Sequence, residues 1–228
     1  MIDECNNIVS FGGAGVSTES GIKDFRSKDG LYNMKYKYPV EMMLSSKMFY
    51  EETEEFYKFY KDKMNCLNAK PNITHKYLKN LEDKGKLKAI ITQNIDGLHS
   101  KAGNKNVYEI HGTIMKNHCL RCSKEYDAKY VFESADVPKC SCGGVIKPDV
   151  VLYGEMLPNC FEEAIFKVQK ADMMIVAGSS LLVSPANSLV DIFQGKYLVI
   201  INNEETPYDN KANLVIHEKL SNIFGKLK

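Results

Sequence analysis

Apolar residues along the chain gather into five short runs: Ile8-Val9-Ser10-Phe11, Leu87 to Thr92, Met173 to Ala177, Tyr197 to Ile201 and Leu214-Val215-Ile216. Most are continuously apolar rather than alternating, as suits strands covered on both faces of a parallel sheet. Each of the first four ends in, or is followed by, glycine or a polar residue. Ligands of open α/β sheets gather at that carboxyl edge. Between the third and fourth runs, Pro185 to Phe193 predicts a crossover helix with proline near its start. Phe161, Ile165 and Val168 recur at helical spacing ahead of the third run. Two stretches break this rhythm. Residues 32–83 read as helices rich in Met, Phe and Tyr, and residues 115–149 hold four cysteines with little periodicity.

The pattern predicts the α/β class. A doubly wound, Rossmann-like parallel sheet would use residues 1–31, 84–114 and 150–228. The helical insertion at 32–83 and the cysteine module at 115–149 would form a smaller second lobe. A chain of 228 residues, 44% hydrophobic, has material for one substantial core and a small satellite. Net charge is +1, from 30 Lys+Arg against 29 Asp+Glu, so no dedicated nucleic-acid binding is expected. The most apolar stretch, Met173 to Val183, is broken by Gly178, Ser179 and Ser180 and is too short to span a membrane. Met1-Ile2-Asp3-Glu4 lacks the basic-then-apolar pattern of a signal peptide. The expectation is therefore a cytoplasmic monomer, whose seven cysteines are thiols or metal ligands rather than a disulfide framework.

Gly12-Gly13-Ala14-Gly15-Val16-Ser17 follows the first run. Glycines there allow a tight turn and close backbone approach to a pyrophosphate, although an ordinary strand-to-helix turn uses the same residues. Thr18 stands where the dinucleotide fingerprint has Gly or Ala. A dehydrogenase would add a second strand and an acidic ribose ligand about 20 residues on. Lys35-Tyr36-Lys37-Tyr38 occupies that place. The polar stretch Ser20 to Arg26 suggests instead a loop that covers a cofactor.

Cys119-x-x-Cys122 and Cys140-x-Cys142 are separated by 17 residues. Two close thiolate pairs suit tetrahedral zinc. Four cysteines fill the coordination sphere and leave no position for an activated water, so the metal would be structural and hold a lobe too small to fold on apolar packing alone. Cys5, Cys66 and Cys160 read as buried small hydrophobes. Of the five histidines, His111 ends the run Val107 to Ile110 and precedes Gly112. Position alone favours a structural histidine over a base. His75 falls in a helical stretch, His99 closes the loop after Asn94-Ile95-Asp96, His118 would be a superfluous fifth ligand, and His217 follows the last run.

The stretch Gly13 to Arg26 resembles the opening signature of the sirtuins. The resemblance recurs in order through Thr92-Gln93-Asn94-Ile95-Asp96-Gly97-Leu98-His99, His111-Gly112, the cysteine module, Lys147 to Glu155, Gly178-Ser179-Ser180-Leu181 and Ile201-Asn202. Gly12, Lys23, Lys147 and Tyr153 depart from the usual Thr, Pro, Arg and Phe, and few residues precede the first strand. Lys23 is expected to loosen the cofactor loop, because a fixed φ is lost.

The resemblance implies an NAD-dependent protein-lysine deacetylase that releases nicotinamide and O-acetyl-ADP-ribose. NAD would be co-substrate, and the zinc on Cys119, Cys122, Cys140 and Cys142 structural. His111 would be the general base, with Asn94 beside it at the reacting centre. Asn94, Ile95 and Asp96 would hold the nicotinamide amide. Ala14, Thr18, Asp24, Phe25, Arg26 and Gln93 would wall the ribose and phosphates. Gly178, Ser179, Ser180, Asn202 and Asn203 would meet the adenosine side. Val151, Tyr153, Gly154 and Glu155 would take an acetyl-lysine protein substrate, bound as an extended peptide between that segment and Val183. Tyr57 and Tyr60, where acidic-acyl sirtuins have a Tyr-x-x-Arg pair, imply acetyl and longer apolar acyl chains over succinyl; the alternative is that both are core residues of an aromatic helix face and say nothing about substrate. Protein ADP-ribosyl transfer would use the same cleft. The joint presence of His111, Asn94 and Asp96 argues against a catalytically idle NAD-sensing interaction module.

Overall fold

The five apolar runs, joined by one more short strand, form a single parallel sheet in the computed structural model, which describes residues 1–227. The strands are β1 (Ile8–Gly12), β2 (Leu87–Thr92), β3 (Val107–Glu109), β4 (Gly112–Cys119), β5 (Glu125–Asp127), β6 (Ile146–Val150), β7 (Met173–Ala177), β8 (Tyr197–Ile201) and β9 (Leu214–Ile216). The helices are α1 (Val40–Met43), α2 (Ser46–Glu51), α3 (Thr53–Met64), α4 (Ile73–Asp83), α5 (Leu98–Lys101), α6 (Ala128–Glu133), α7 (Cys160–Gln169), α8 (Ser188–Ile192) and α9 (Leu220–Phe224).

The large sheet runs β3-β2-β1-β7-β8-β9, every pair parallel. Its strands are covered on both faces, and successive side chains alternate between them. Val9, Phe11, Met174 and Val176 join one cluster with Ala164 and Val168 of α7 and Leu189 and Val190 of α8. Ile8, Met173, Ile175 and Ala177 join another with Tyr77, Leu78 and Leu81 of α4 and Phe224 of α9. The register sets Gly12 level with Thr92 and Ala177, Thr92 level with Glu109, and Ala177 level with Ile201. Five strands therefore end along one edge. The chain runs to opposite sides of β1 after it, which makes this edge the topological switch point where α/β ligands settle.

The helical stretch divides. Phe56, Tyr57, Phe59 and Tyr60 of α3 pack in a third cluster with Ile114, Val131 and Ile146 of the cysteine region, whereas α4 packs on the large sheet. The cysteine region itself forms a small antiparallel sheet in the order β5-β4-β6. Sequence periodicity gave no sign of it, because β4 shows no clean alternation of buried and exposed positions. The crossover helix starts later than its proline suggests: residues 184–187 turn first, with Ser188 N–H donating to the Pro185 carbonyl at 3.0 Å. No helix among the described residues is long and apolar enough to cross a membrane.

Candidate active site and metal centre

A cleft of about 1290 Å³ opens along the carboxyl edge of the sheet. Two backbone turns cross at its base. Gly15 N–H donates to the Gly178 carbonyl at 2.8 Å. A Cβ on Gly15 would lie 2.7 Å from the Gly178 Cα, and Gly178 takes φ +57°, so both positions require glycine. This crossing brings the loop after β1 and the loop after β7 to one place.

Every residue assigned to cofactor or substrate from the sequence lines this cleft. Ala14, Thr18, Asp24, Phe25 and Arg26 come from the loop after β1, and Gln93, Asn94, Ile95 and Asp96 from the loop after β2. His111 lies between β3 and β4. Gly178, Ser179, Ser180 and Val183 follow β7, Asn202 and Asn203 follow β8, and Val151, Tyr153, Gly154 and Glu155 follow β6.

Polar groups on its floor are tied together. Asn94 Nδ2 donates to Ser17 Oγ at 3.0 Å, and Ser17 Oγ donates to Asp96 Oδ2 at 2.6 Å. The other oxygen of Asp96 accepts the Leu98 N–H at 2.8 Å. Burial raises the Asp96 carboxyl above the usual aspartate range, and the two donated bonds work against that rise. Ser179 Oγ donates to Gln93 Oε1 at 2.8 Å, which fixes the Gln93 amide across the glycine crossing.

His111 Nδ1 lies 3.0 Å from the Gln93 carbonyl. A carbonyl only accepts, so Nδ1 carries the proton and Nε2 keeps a free lone pair. Burial lowers the imidazole pKa below its ordinary 6.5, opposed by the Gln93 bond. At neutral pH the ring is therefore uncharged and ready to accept a proton.

The wall above joins cofactor loop to substrate segment. Tyr32 and Tyr153 share a hydrogen bond between hydroxyls at 2.9 Å. The Tyr32 ring packs tilted against Phe25, centroids 5.6 Å apart at 59°, and the Arg26 guanidinium sits 5.2 Å from the Tyr32 ring. Ser17 and Tyr32 were not singled out in the sequence, and only a contact across the fold reveals them. The loop is held by its own ladder, with Leu31 N–H donating to Asp24 O and Tyr32 N–H to Phe25 O, each at 2.9 Å. Lys23, just ahead of it, is exposed. Glu155 is partly engaged in structure: its carboxylate takes Lys147 Nζ at 3.2 Å and the Leu152 N–H at 2.9 Å. Tyr57 is a core residue. It is buried, and its hydroxyl donates to the Ile146 carbonyl of β6.

Sulfurs of Cys119, Cys122, Cys140 and Cys142 lie within 4.8 Å of one another. Cys119 and Cys142 are 3.5 Å apart, Cys122 and Cys140 3.6 Å. Thiolates about 2.3 Å from a tetrahedral zinc stand about 3.8 Å from each other, so the donor set fits. Arg121 N–H points to Cys119 Sγ at 3.3 Å and Cys142 N–H to Cys140 Sγ at 3.5 Å, as the outer shell of a thiolate site does. His118 is engaged elsewhere, paired with Asp149.

Residues 13–185 match the model of the Sir2 family. An NAD-dependent protein deacetylase of Clostridium acetobutylicum is 50% identical over 98% of this chain and 93% of its own length. One from Clostridium perfringens is 51% identical over all of this chain and 95% of its own. Among solved structures, a Sir2 with a deacetylated p53 peptide and 3'-O-acetyl ADP ribose superposes with TM-score 0.91 at 42% identity, covering 98% of this chain and 93% of its own. A Sir2 with a p53 peptide and NAD+ gives TM-score 0.87 at 41% identity, with coverage of 98% and 92%.

Proposed function

The chain belongs to the Sir2 family, and from that premise we propose that it removes acetyl groups from protein lysines in an NAD-consuming reaction, with the following division of labour. NAD supplies the departing nicotinamide and the ribose that receives the acetyl group. Ala14, Thr18, Asp24, Phe25, Arg26 and Gln93 hold its ribose and phosphates, and Gly178, Ser179, Ser180, Asn202 and Asn203 its adenosine end. Asn94, Ile95 and Asp96 take the nicotinamide amide. His111 accepts a proton at Nε2 from a ribose hydroxyl. The zinc on Cys119, Cys122, Cys140 and Cys142 takes no part in this chemistry, because four thiolates leave it no open position.

Substrate peptide lies extended against Val151, Tyr153, Gly154 and Glu155 on one side and Val183 on the other. Tyr153 contributes its side chain rather than its backbone, since its N–H donates to Leu44 O and its carbonyl accepts Ser46 N–H, both at 3.0 Å. Among the described residues, Gly154 makes no backbone hydrogen bond, which leaves it to pair with the peptide. The single observation that carries the reading is His111: a neutral imidazole with a free Nε2, held by Gln93 in the cleft that also contains the Asn94–Ser17–Asp96 network.

We further propose the lobe division of residues 1–31, 84–114 and 150–228 against 32–83 and 115–149, with α4 kept on the sheet side. A monomeric, cytoplasmic protein without nucleic-acid binding completes the reading. The test is mass spectrometry of an acetylated peptide incubated with the protein, with and without NAD. Deacetylation and nicotinamide release in equal amounts, only with NAD, support it. ADP-ribosylation of protein without loss of acetyl overturns it in favour of protein ADP-ribosyl transfer.

A further inference from the structure

We propose that Asn72, which does not line the cleft, is a positioning residue for the loop that holds NAD. The inference rests on the cofactor reading above. The loop after β1 contains two successive single turns, Ala14–Val16 and Thr18–Ser20, with Ser17 between them. Within this segment, Gly13 O, Ala14 O, Ser17 O and Thr18 O each accept a local N–H, and Gly15 O accepts the Thr18 hydroxyl. The Val16 carbonyl at the junction is met from outside the loop. Asn72 Nδ2 donates to it at 2.7 Å and to Ser20 Oγ at 3.0 Å. One amide thereby grips both turns on either side of Ser17, the residue that bridges Asn94 and Asp96.

The other end of Asn72 is fixed to a rigid element. It caps α4, its Oδ1 accepting Thr74 N–H at 2.9 Å, and α4 packs on the sheet through Tyr77, Leu78 and Leu81. The helix decides which way the amide faces. Thr74 N–H at 2.9 Å and His75 N–H at 3.4 Å both need an acceptor, so Oδ1 turns to them. The His75 side chain completes a capping box, its Nδ1 accepting the Asn72 backbone N–H at 3.3 Å. With Oδ1 committed to the helix, Nδ2 has one direction left, toward Val16 and Ser20. His75 is itself wedged against His99, ring centroids 4.7 Å apart, and His99 sits three residues beyond Asp96. The two loops that would enclose NAD are therefore braced from behind by one peg.

Capping and gripping separate cleanly by substitution. Ser and Asp are cap residues of similar quality to Asn, yet neither supplies an amide donor. Asn72→Ser and Asn72→Asp should keep the melting temperature of the parent. Each should raise KM for NAD roughly three- to tenfold, as expected for lost hydrogen bonds. The kcat at saturating NAD and KM for the acetylated peptide should stay within about twofold. Calorimetric affinity for NAD without peptide should weaken by the same factor, which reads the loop independently of turnover. Unchanged NAD affinity in both variants at parental melting temperature overturns the proposal. So does a loss of kcat and melting temperature together with no selective change in KM for NAD. If the parent binds NAD but leaves acetyl-lysine intact, the deacetylase reading fails while the calorimetric comparison still decides the role of Asn72.

Discussion

The Ser17 hydroxyl donates to Asp96 Oδ2 at 2.6 Å across 79 residues of sequence, and Ser17 Oγ itself accepts the Asn94 amide. Ser17 is thus the joint between the loop after β1 and the loop after β2. Burial raises the Asp96 pKa, and the Ser17 bond is the larger of the two that hold it down. Ser17→Ala should push the carboxyl higher still. A buried bond to a charged group is worth about 1.5–3 kcal/mol, so kcat/KM for NAD should fall roughly ten- to hundredfold. Its acid limb should move to higher pH. A parental pH–rate profile in the variant would show that Asp96 does not depend on this hydroxyl.

His111→Ala should lower kcat by about 10²–10⁴ while NAD affinity measured by calorimetry stays within a few-fold. The pH dependence follows from burial, which lowers the imidazole pKa below 6.5. The base form is present at neutral pH and is lost as pH falls through that lowered value. A variant retaining most of its kcat would place the base elsewhere.

Metal analysis should return about one zinc per chain, as a single four-thiolate site requires. Chelation or Cys119→Ala should unfold the small lobe and abolish activity through it. Metal-free protein with parental melting temperature and activity would remove the zinc from the account.

His75 and His99 give the fold a dependence on acid. Burial lowers their pKa values from 6.5 to about 4 and about 3, the His75 charge adding to the second. The folded state keeps both neutral while the unfolded chain protonates them. Their contribution to stability is complete above pH 6.5 and drains away as pH falls toward those values. Each adds up to about 1.4 kcal/mol per pH unit within that window. Among the described residues neither nitrogen of the His99 ring has a hydrogen-bond partner, so His99→Phe should flatten the slope by about half when urea denaturation is followed from pH 7 to 5. An unchanged slope would mean the pair is not what titrates.

Acetyl-lysine should be removed faster than succinyl-lysine from one peptide. Tyr57 is spent on the Ile146 carbonyl, and Tyr60 is stacked between Phe56 at 5.4 Å and Phe132 at 5.4 Å. The ammonium of Lys61, 5.9 Å over the Tyr57 ring, is already held by Ser134 and the Asp136 carbonyl. A succinyl carboxylate carried to this aromatic helix would lose its hydration without a paired cation, which is costly. Higher kcat/KM on the succinyl peptide would reject this.

The parallel sheet was legible because continuous apolar runs such as Met173 to Ala177 suit strands covered on both faces, and their polar successors mark the cleft edge. The cysteine spacing likewise announced its own geometry. The small sheet β5-β4-β6 was hidden, because a lobe held by metal need not alternate apolar and polar positions, and Asn117 or Lys147 of its strands are buried polar residues. Ser17, Tyr32 and Asn72 were invisible for a different reason. Each acts on a partner many residues away, and no local pattern records such a pairing. The division of the helical stretch was hidden too, since α3 and α4 share an amphipathic pattern and only packing tells which lobe each one faces.

The mutual contact of Gly15 and Gly178 also limits how this protein can drift. A side chain at either place would collide with the backbone of the other, so relaxing one position does not free its partner. No sequence of single tolerated replacements leads away from the pair, however freely the neighbouring residues vary. A saturation library across both loops should return glycine at these two positions in every active clone, even when clones are selected only for solubility and then screened. Innovation in this cleft must come from the polar residues on either side of the crossing, with the crossing itself inherited unchanged.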